Sequence, residues 1–278
     1  MNYLYIAGLE HSGTTLLSEL LAVRSSVLSL GEVGVFFSPS HMKCYLDTWG
    51  GYDDARLCSC GASWEACSFW GPIVQLSGEH SSMPLEDKYI QLLAHIKAHH
   101  SEFDTIVDST KSLPNLRQLM HSGKLFARSK VEFQVVFAAK DVRSFAASIV
   151  KKEKLRSILS IYRSMNWWRA VNQQILEALK EDLVEWHLVL YENLCRDVDA
   201  TVNKLIGQPE DMREPVGLGK VSLGSHIVMG NKDFMMRNRR RLRYDDAWFR
   251  NDRIQLAYLL NRGARRLNHQ LHGNALQF

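Results

Sequence analysis

Short apolar runs rich in β-forming residues alternate along this chain with longer stretches whose apolar positions recur at helical spacing. That order is expected when helices cover both faces of a parallel sheet. Tyr3 to Ala7, Thr105 to Asp108, Phe133 to Ala138 and Trp186 to Tyr191 are almost uninterrupted apolar runs, as strands buried on both faces require. Helices are predicted over Thr14 to Val23, Pro84 to His99, Ser144 to Lys152, Ile158 to Leu179, Val198 to Ile206 and Asp252 to Leu267. The Trp167-Trp168 pair falls in the fourth of these and reads as core, with Ile161, Met165 and Ile175 at compatible positions. The pattern predicts an α/β protein with a central, mostly parallel sheet flanked by helices in three layers. Ligands are expected at the C-terminal ends of the strands.

Between Gly31 and Gly78 the periodicity fades into scattered Gly, Ser, Trp and Cys, which reads as a long functional excursion from one core. A single domain over residues 1–278 is the simplest organisation, since α/β folds of this length often form one core. A charged fraction of 23% and a hydrophobic fraction of 46% are those of an ordinary globular chain, and no run is apolar enough to span a bilayer. The formal charge of +4 is too small for a general nucleic-acid binder. Its positive residues are uneven, with Arg237, Arg239, Arg240, Arg241 and Arg243 close together, which suits a local anion site. Translation begins almost directly on a β-like run, with no room for a signal peptide, so a cytoplasmic protein is expected.

The chemistry starts after the first strand. Gly8-Leu9-Glu10-His11-Ser12-Gly13-Thr14-Thr15 lies between a strand and a helix, with glycines five apart, so its backbone N–H groups can wrap an anion at a helix N-terminus. This makes the fold P-loop-like. In nucleotide triphosphatases a lysine follows the second glycine and reaches the β- and γ-phosphates, whereas here Thr14 stands in that place. The absent lysine favours a donor without a γ-phosphate and removes the strongest reason to expect Mg²⁺. A phosphosulfate meets both conditions. A turn using Gly and Ser for geometry alone is the plainer reading.

Lys140 to Ser148 forms a second candidate anion site, with a cation at a strand end and a hydroxyl eight residues on, inside the next helix. Here a family resemblance enters. Gly-Leu-Glu-His-Ser-Gly-Thr-Thr-Leu resembles the 5′-phosphosulfate loop of the sulfotransferases, and Lys140 to Ser148 resembles their 3′-phosphate motif. The resemblance implies that Gly8, His11, Ser12, Gly13, Thr14 and Thr15 surround the 5′-phosphate of 3′-phosphoadenosine 5′-phosphosulfate. It implies equally that Lys140 and Ser148 hold the 3′-phosphate, with Lys152 adding charge one turn further on. Taken without the family, Lys140 and Arg143 read as solvated strand-end charges.

The likeness runs on. Leu190-Tyr191-Glu192-Asn193-Leu194 resembles a segment whose tyrosine lies near the adenine, although an aromatic packing a helix is an equal reading. Ser225 to Asn231 resembles a late segment of bacterial members, implying nucleotide contacts from Gly230 and Asn231. Glu32, in Leu30-Gly31-Glu32, resembles the Gly-Glu of tyrosylprotein and bacterial sulfotransferases and is implied as the catalytic base; a loop carboxylate or helix cap is the alternative. Lys111, in Asp108-Ser109-Thr110-Lys111, matches a lysine that contacts the sulfuryl oxygens, or else pairs with Asp108. His11 stands where the family usually has Lys or Arg beside the leaving oxygen; a protonated imidazole there makes the rate fall as pH rises, and a neutral hydrogen-bond donor is the alternative. The resemblance thus implies sulfuryl transfer to a hydroxyl acceptor with no metal required. A P-loop nucleotide kinase and an inert nucleotide- or partner-binding protein of this fold are the competing readings.

The five cysteines do not make a disulfide scaffold. Cys58-Ser59-Cys60-Gly61, then Cys67 and Phe69-Trp70, resembles an element of some bacterial relatives. These thiols can bind zinc with a fourth ligand such as Cys44, pair as a disulfide, or stay reduced; reduced thiols in a substrate loop are the default expectation. Trp49, Tyr52, Trp64 and Trp70 offer flat surfaces to an acceptor or pack within the loop. His95, His99 and His100 show no ligand pattern and read as surface or packing residues.

Overall fold

The computed structural model describes residues 1–40, 43–44, 47, 57–76, 82–181, 184–206, 225–229 and 244–275. Five strands form one parallel sheet: β1 (Asn2–Gly8), β2 (Val27–Gly31), β3 (Thr105–Lys111), β4 (Glu132–Ala139) and β5 (Glu185–Leu190), in the order β2-β3-β1-β4-β5. From β1 the chain crosses to β2 at one edge and returns as β3 beside β1, after which β4 and β5 extend the other side, so the direction of progress changes at β1. Ligands of open α/β sheets collect beside the strand ends at such a reversal.

The described helices are α1 (Thr14–Leu21), α2 (Val33–Phe37), α3 (Leu85–His99), α4 (Leu113–His121), α5 (Gly123–Arg128), α6 (Val142–Glu153), α7 (Ile158–Glu181), α8 (Tyr191–Arg196), α9 (Val198–Ile206), α10 (Asp252–Leu260) and α11 (Arg262–Ala275). No described helix is long and apolar enough to cross a membrane. The α/β class and the flanked sheet agree with the sequence reading.

Several elements depart from it. The hydrophobic pattern does not predict β2, because Ser29 interrupts a run of only five residues; its hydroxyl is buried and satisfied by the Ser18 hydroxyl at 2.7 Å. The last predicted helix is two. Asn261 is 1% exposed, and its side chain accepts the N–H of Ala264 at 3.0 Å, which stops α10 and caps α11. Tyr191 opens α8 and does not close β5. Within the Trp pair only Trp168 is core, and Trp167 is 44% exposed.

The chain's contacts divide it into two compact units. The first comprises Met1–Ile6, Thr15–Val135 and Pro215–Arg240. Tyr3 and Tyr89 cross its core edge to face with ring centroids 6.2 Å apart, and both hydroxyls donate to Asp108 at 2.9 Å. The second comprises Ala7–Thr14, Val136–Glu214 and Arg241–Phe278. Its core includes Trp168, whose indole donates to the Lys140 carbonyl at 3.0 Å and so anchors α7 to the end of β4.

Candidate functional site

In the second unit, the loop leaving β1 is crowded by its neighbours. A Cβ at Gly8 would sit 2.6 Å from the Ala138 carbonyl oxygen, so only glycine lets β1 end this close to β4. Gly13 has φ of +87°, and a Cβ there would meet the Tyr191 ring at 2.8 Å. The tyrosine thus lies against the loop. His11 takes φ of 65°, and Ser12 is buried with a hydroxyl that has no hydrogen-bond partner among the described residues. Thr14, also buried, begins α1, and Thr15 is partly exposed.

The other face of this cradle is Lys140. It is 4% exposed, its Nζ donates to the Ser148 hydroxyl at 3.1 Å, and it stands 4.4 Å from the centroid of the Tyr191 ring. Among the described residues no carboxylate is within ion-pair distance of it. Burial draws its pKa below the usual lysine range, although Asp245 and Glu192 act in the opposite direction. Tyr191 therefore touches the loop through Gly13 and the lysine through its ring, bringing together two motifs that the sequence holds far apart. Ser148 in turn donates to the Ser144 carbonyl at 3.1 Å, one turn back in α6. Lys152 lies 3.9 Å from Glu10, both more than half exposed.

The solvated reading of Lys140 and Arg143 does not hold. Arg143 makes a two-point ion pair with Asp141, at 2.9 and 2.7 Å, and lies over the rings of Trp248 and Tyr258 at 4.0 and 4.8 Å. It serves the architecture. Asp141 caps α6 by accepting the Arg143 N–H at 2.8 Å, and Glu192 accepts the Asp141 N–H at 3.1 Å. Asn268 of α11 completes the mount by donating to Asp141 at 3.1 Å and accepting from the Val142 N–H at 2.9 Å. Sequence reasoning missed this support; the Asp that precedes the predicted helix was its one local signal.

In the first unit, Lys111 ends β3 with φ of 66° and forms a close ion pair with Glu32. Asp108 is not its partner. That carboxylate is wholly buried, accepts from Tyr3, Tyr89 and Thr110, and is pushed up to about 6 by burial against the lowering effect of those hydrogen bonds. Glu32 stands as the N-cap residue of α2, but its side chain makes no capping bond. Its N–H donates to the Val228 carbonyl at 3.1 Å. Gly31 precedes it at φ of +81°, and a Cβ there would collide with the Val228 carbonyl oxygen, so residues 225–229 lie directly on the end of β2.

The same unit gathers the thiols. Cys58, Cys60, Cys67 and His226 bring four ligand atoms within 4.8 Å of one another, whereas Cys44 is exposed and outside the group. Trp64 and Trp70 are buried against Phe36, which makes them packing residues. His95 and His100 pack beside Phe69, with ring centroids at 5.6 and 5.0 Å. Gly230, Asn231, the arginines from Arg237 to Arg243, Trp49 and Tyr52 lie outside the described residues.

No family model matches the chain, and no curated protein matches it in sequence. Among solved structures, it is similar to the sulfotransferase domain from the Synechococcus PCC 7002 olefin synthase, with a TM-score of 0.60 over 92% of each chain at 15% identity. The chain has a sulfotransferase-like fold.

Proposed function

We propose that this protein is a sulfotransferase that moves a sulfuryl group from 3′-phosphoadenosine 5′-phosphosulfate to the hydroxyl of an acceptor. The observation that carries the reading is Tyr191, which packs on Gly13 of the loop and under Lys140, so that two candidate anion sites share one wall. The fold likeness supports it. A buried ammonium that faces a hydroxyl and a ring, with no carboxylate in ion-pair distance among the described residues, is costly unless an anion neutralises it, and a phosphate does so with charge-assisted hydrogen bonds.

In this reading the amides from Gly8 to Thr14, with the hydroxyls of Ser12, Thr14 and Thr15, hold the 5′-phosphate, and Lys140 and Ser148 hold the 3′-phosphate. Lys152 adds long-range charge, and Gly230 and Asn231 complete the nucleotide contacts. Glu32 takes the acceptor proton as the acceptor oxygen bonds to sulfur and the bond from sulfur to the phosphate oxygen breaks. Lys111 fixes the carboxylate and faces charge on the sulfuryl oxygens, while His11 donates to the leaving phosphate oxygen. No metal is assigned to the transfer. Acceptors are small hydroxyl compounds, carbohydrates among them.

Isothermal titration in metal-free buffer tests the reading: adenosine 3′,5′-bisphosphate is expected to bind without Mg²⁺ and more tightly than ATP. A preference for Mg-ATP would overturn it in favour of a kinase. Turnover, read by mass spectrometry of sulfated product from a panel of sugars, lipids and phenols, separates an enzyme from an inert binder.

A further inference from the structure

The loop residues around Cys58 to Cys67 are joined to His226 by backbone geometry as much as by side chains. Ser59, between two of the thiols, donates its N–H to the Ile227 carbonyl at 3.0 Å and its hydroxyl to the Ser225 carbonyl at 3.0 Å. The same hydroxyl accepts the Ile227 N–H at 2.9 Å. These three bonds flank His226 on both sides and set its imidazole opposite the thiols. A tight turn returns the chain between Cys58 and Ala62, with N–H to carbonyl bonds at 2.9 Å from Gly61 to Cys58 and from Cys58 to Ala62. Cys67 enters from the next turn, held by its N–H on the Ser63 carbonyl at 2.8 Å.

The four ligand atoms lie within 4.8 Å of one another, and three of their separations are close to the edges of a metal tetrahedron. The sulfurs of Cys60 and Cys67 are 3.7 Å apart, and Nδ1 of His226 lies 3.7 Å from the Cys58 sulfur and 3.2 Å from that of Cys67. Zinc at about 2.3 Å from sulfur and about 2.0–2.1 Å from nitrogen gives tetrahedral edges of roughly 3.8 Å between sulfurs and roughly 3.5 Å between sulfur and nitrogen. Outer contacts also suit a metal centre. The Trp70 N–H points to the Cys67 sulfur at 3.5 Å, its indole donates to the His226 carbonyl at 2.5 Å, and Phe69 stacks on the His226 ring at 5.2 Å and 15°.

We propose that Cys58, Cys60, Cys67 and His226 form a structural zinc site that staples residues 225–229, which support the segment bearing Glu32, to the loop of residues 58–67. Three thiolates and one imidazole select zinc among common divalent ions, and four protein ligands leave no open position for catalysis. The three thiols lose their protons to solvent as the metal binds, with no change of oxidation state. The staple acts on the Glu32 region through residues adjacent to the imidazole: His226 N–H donates to the Ser29 carbonyl at 3.2 Å, Val228 N–H to Leu30 at 3.0 Å, and Glu32 N–H to Val228 at 3.1 Å. The proposal takes the zinc alternative in place of the default of reduced loop thiols, with His226 and not Cys44 as the fourth ligand. It stands whether or not the protein transfers sulfuryl groups.

The test uses the full chain, kept reduced by a phosphine and titrated with Zn²⁺ against a chromophoric chelator, and separately with Co²⁺. One zinc per chain is expected, together with the intense visible spectrum of tetrahedral cobalt thiolate. Cys60→Ser and His226→Ala should each weaken zinc by more than the roughly 10–100-fold that loss of an outer partner brings, while Cys44→Ser leaves affinity unchanged. Sub-stoichiometric zinc in the unaltered chain, an octahedral cobalt spectrum, or a Cys60–Cys67 disulfide in protein isolated without reductant would each overturn the proposal. So would loss of metal on Cys44→Ser with retention on His226→Ala. The cobalt spectrum is read on the unaltered chain, so misfolding of a variant leaves that measurement intact.

Discussion

β3 and β4 each deliver a lysine at or just beyond the C-terminal end of a buried strand, and the two lysines meet opposite fates. Lys111 is neutralised by Glu32, whereas Lys140 is buried beside a hydroxyl and an aromatic ring without a carboxylate in ion-pair distance among the described residues. The same position in the fold therefore yields an ion-paired lysine in one unit and, among the described residues, one without an ion pair in the other. Burying an unneutralised ammonium costs stability that a protein recovers only when an anion arrives. The difference distinguishes a residue that shapes its own carboxylate partner from one that is set to receive a ligand.

The comparison breaks most readily at Glu32. Under the proposed function, Glu32→Gln keeps an oxygen for Lys111 but removes the base, so kcat should fall by about 10²–10⁴-fold with bisphosphate affinity unchanged. Undiminished turnover would remove Glu32 from the chemistry.

Asp108 asks whether Lys111 has a second counter-charge. Its folded pKa, about 6, is above the ordinary 3.8, so the folded state holds the proton more tightly. The stability this group contributes is present in full below about pH 4 and is lost as pH rises through about 6, a fall on the order of 3 kcal/mol. Urea unfolding at pH 4 and pH 7 should show that fall in the parent chain and its absence in Asp108→Asn. Equal pH dependence in the two proteins would mean that the carboxylate is ionised in the fold and available to Lys111.

Lys140→Ala should weaken adenosine 3′,5′-bisphosphate by about 10–100-fold, the value of a hydrogen bond to a charged group, while scarcely changing AMP. Lys111→Ala should leave both alone in titration calorimetry. Because burial lowers the Lys140 pKa, bisphosphate affinity is full below that pKa and declines as pH rises through it, earlier than an ordinary lysine allows. Lys140→Arg should remove this decline, and coincident profiles for the two proteins would refute the assignment. Lys152→Ala is the smallest case: its exposed pair with Glu10 predicts a stability change within about 0.5 kcal/mol. A tenfold loss of nucleotide affinity in that variant would place Lys152 with Lys140.

Legibility followed sequence distance. β1 and its loop were readable because an apolar run, two glycines and a helix start are consecutive. β2 escaped because a buried serine looks polar until its partner Ser18 is known. Family resemblance sets Tyr191 near the adenine, but the contacts seen are with Gly13 and Lys140, a role set by tertiary packing. His226 was the hardest to foresee: it follows Cys67 by 159 positions, and no local spacing rule links a histidine to thiols at that range. Loop closure over such a span costs little more than over a short one, so folded chains use it freely while sequence patterns do not reveal it.

The Val228 carbonyl that receives the Glu32 N–H lies on the far side of this long span. A ribosome adding about 5–20 residues per second needs roughly 10–40 s to travel from one residue to the other. Glu32 thus gets the backbone acceptor that fixes it only after the long stretch between the two residues has been translated. A nascent or prematurely terminated product ending before that carbonyl lacks this support, however completely its early strands have formed.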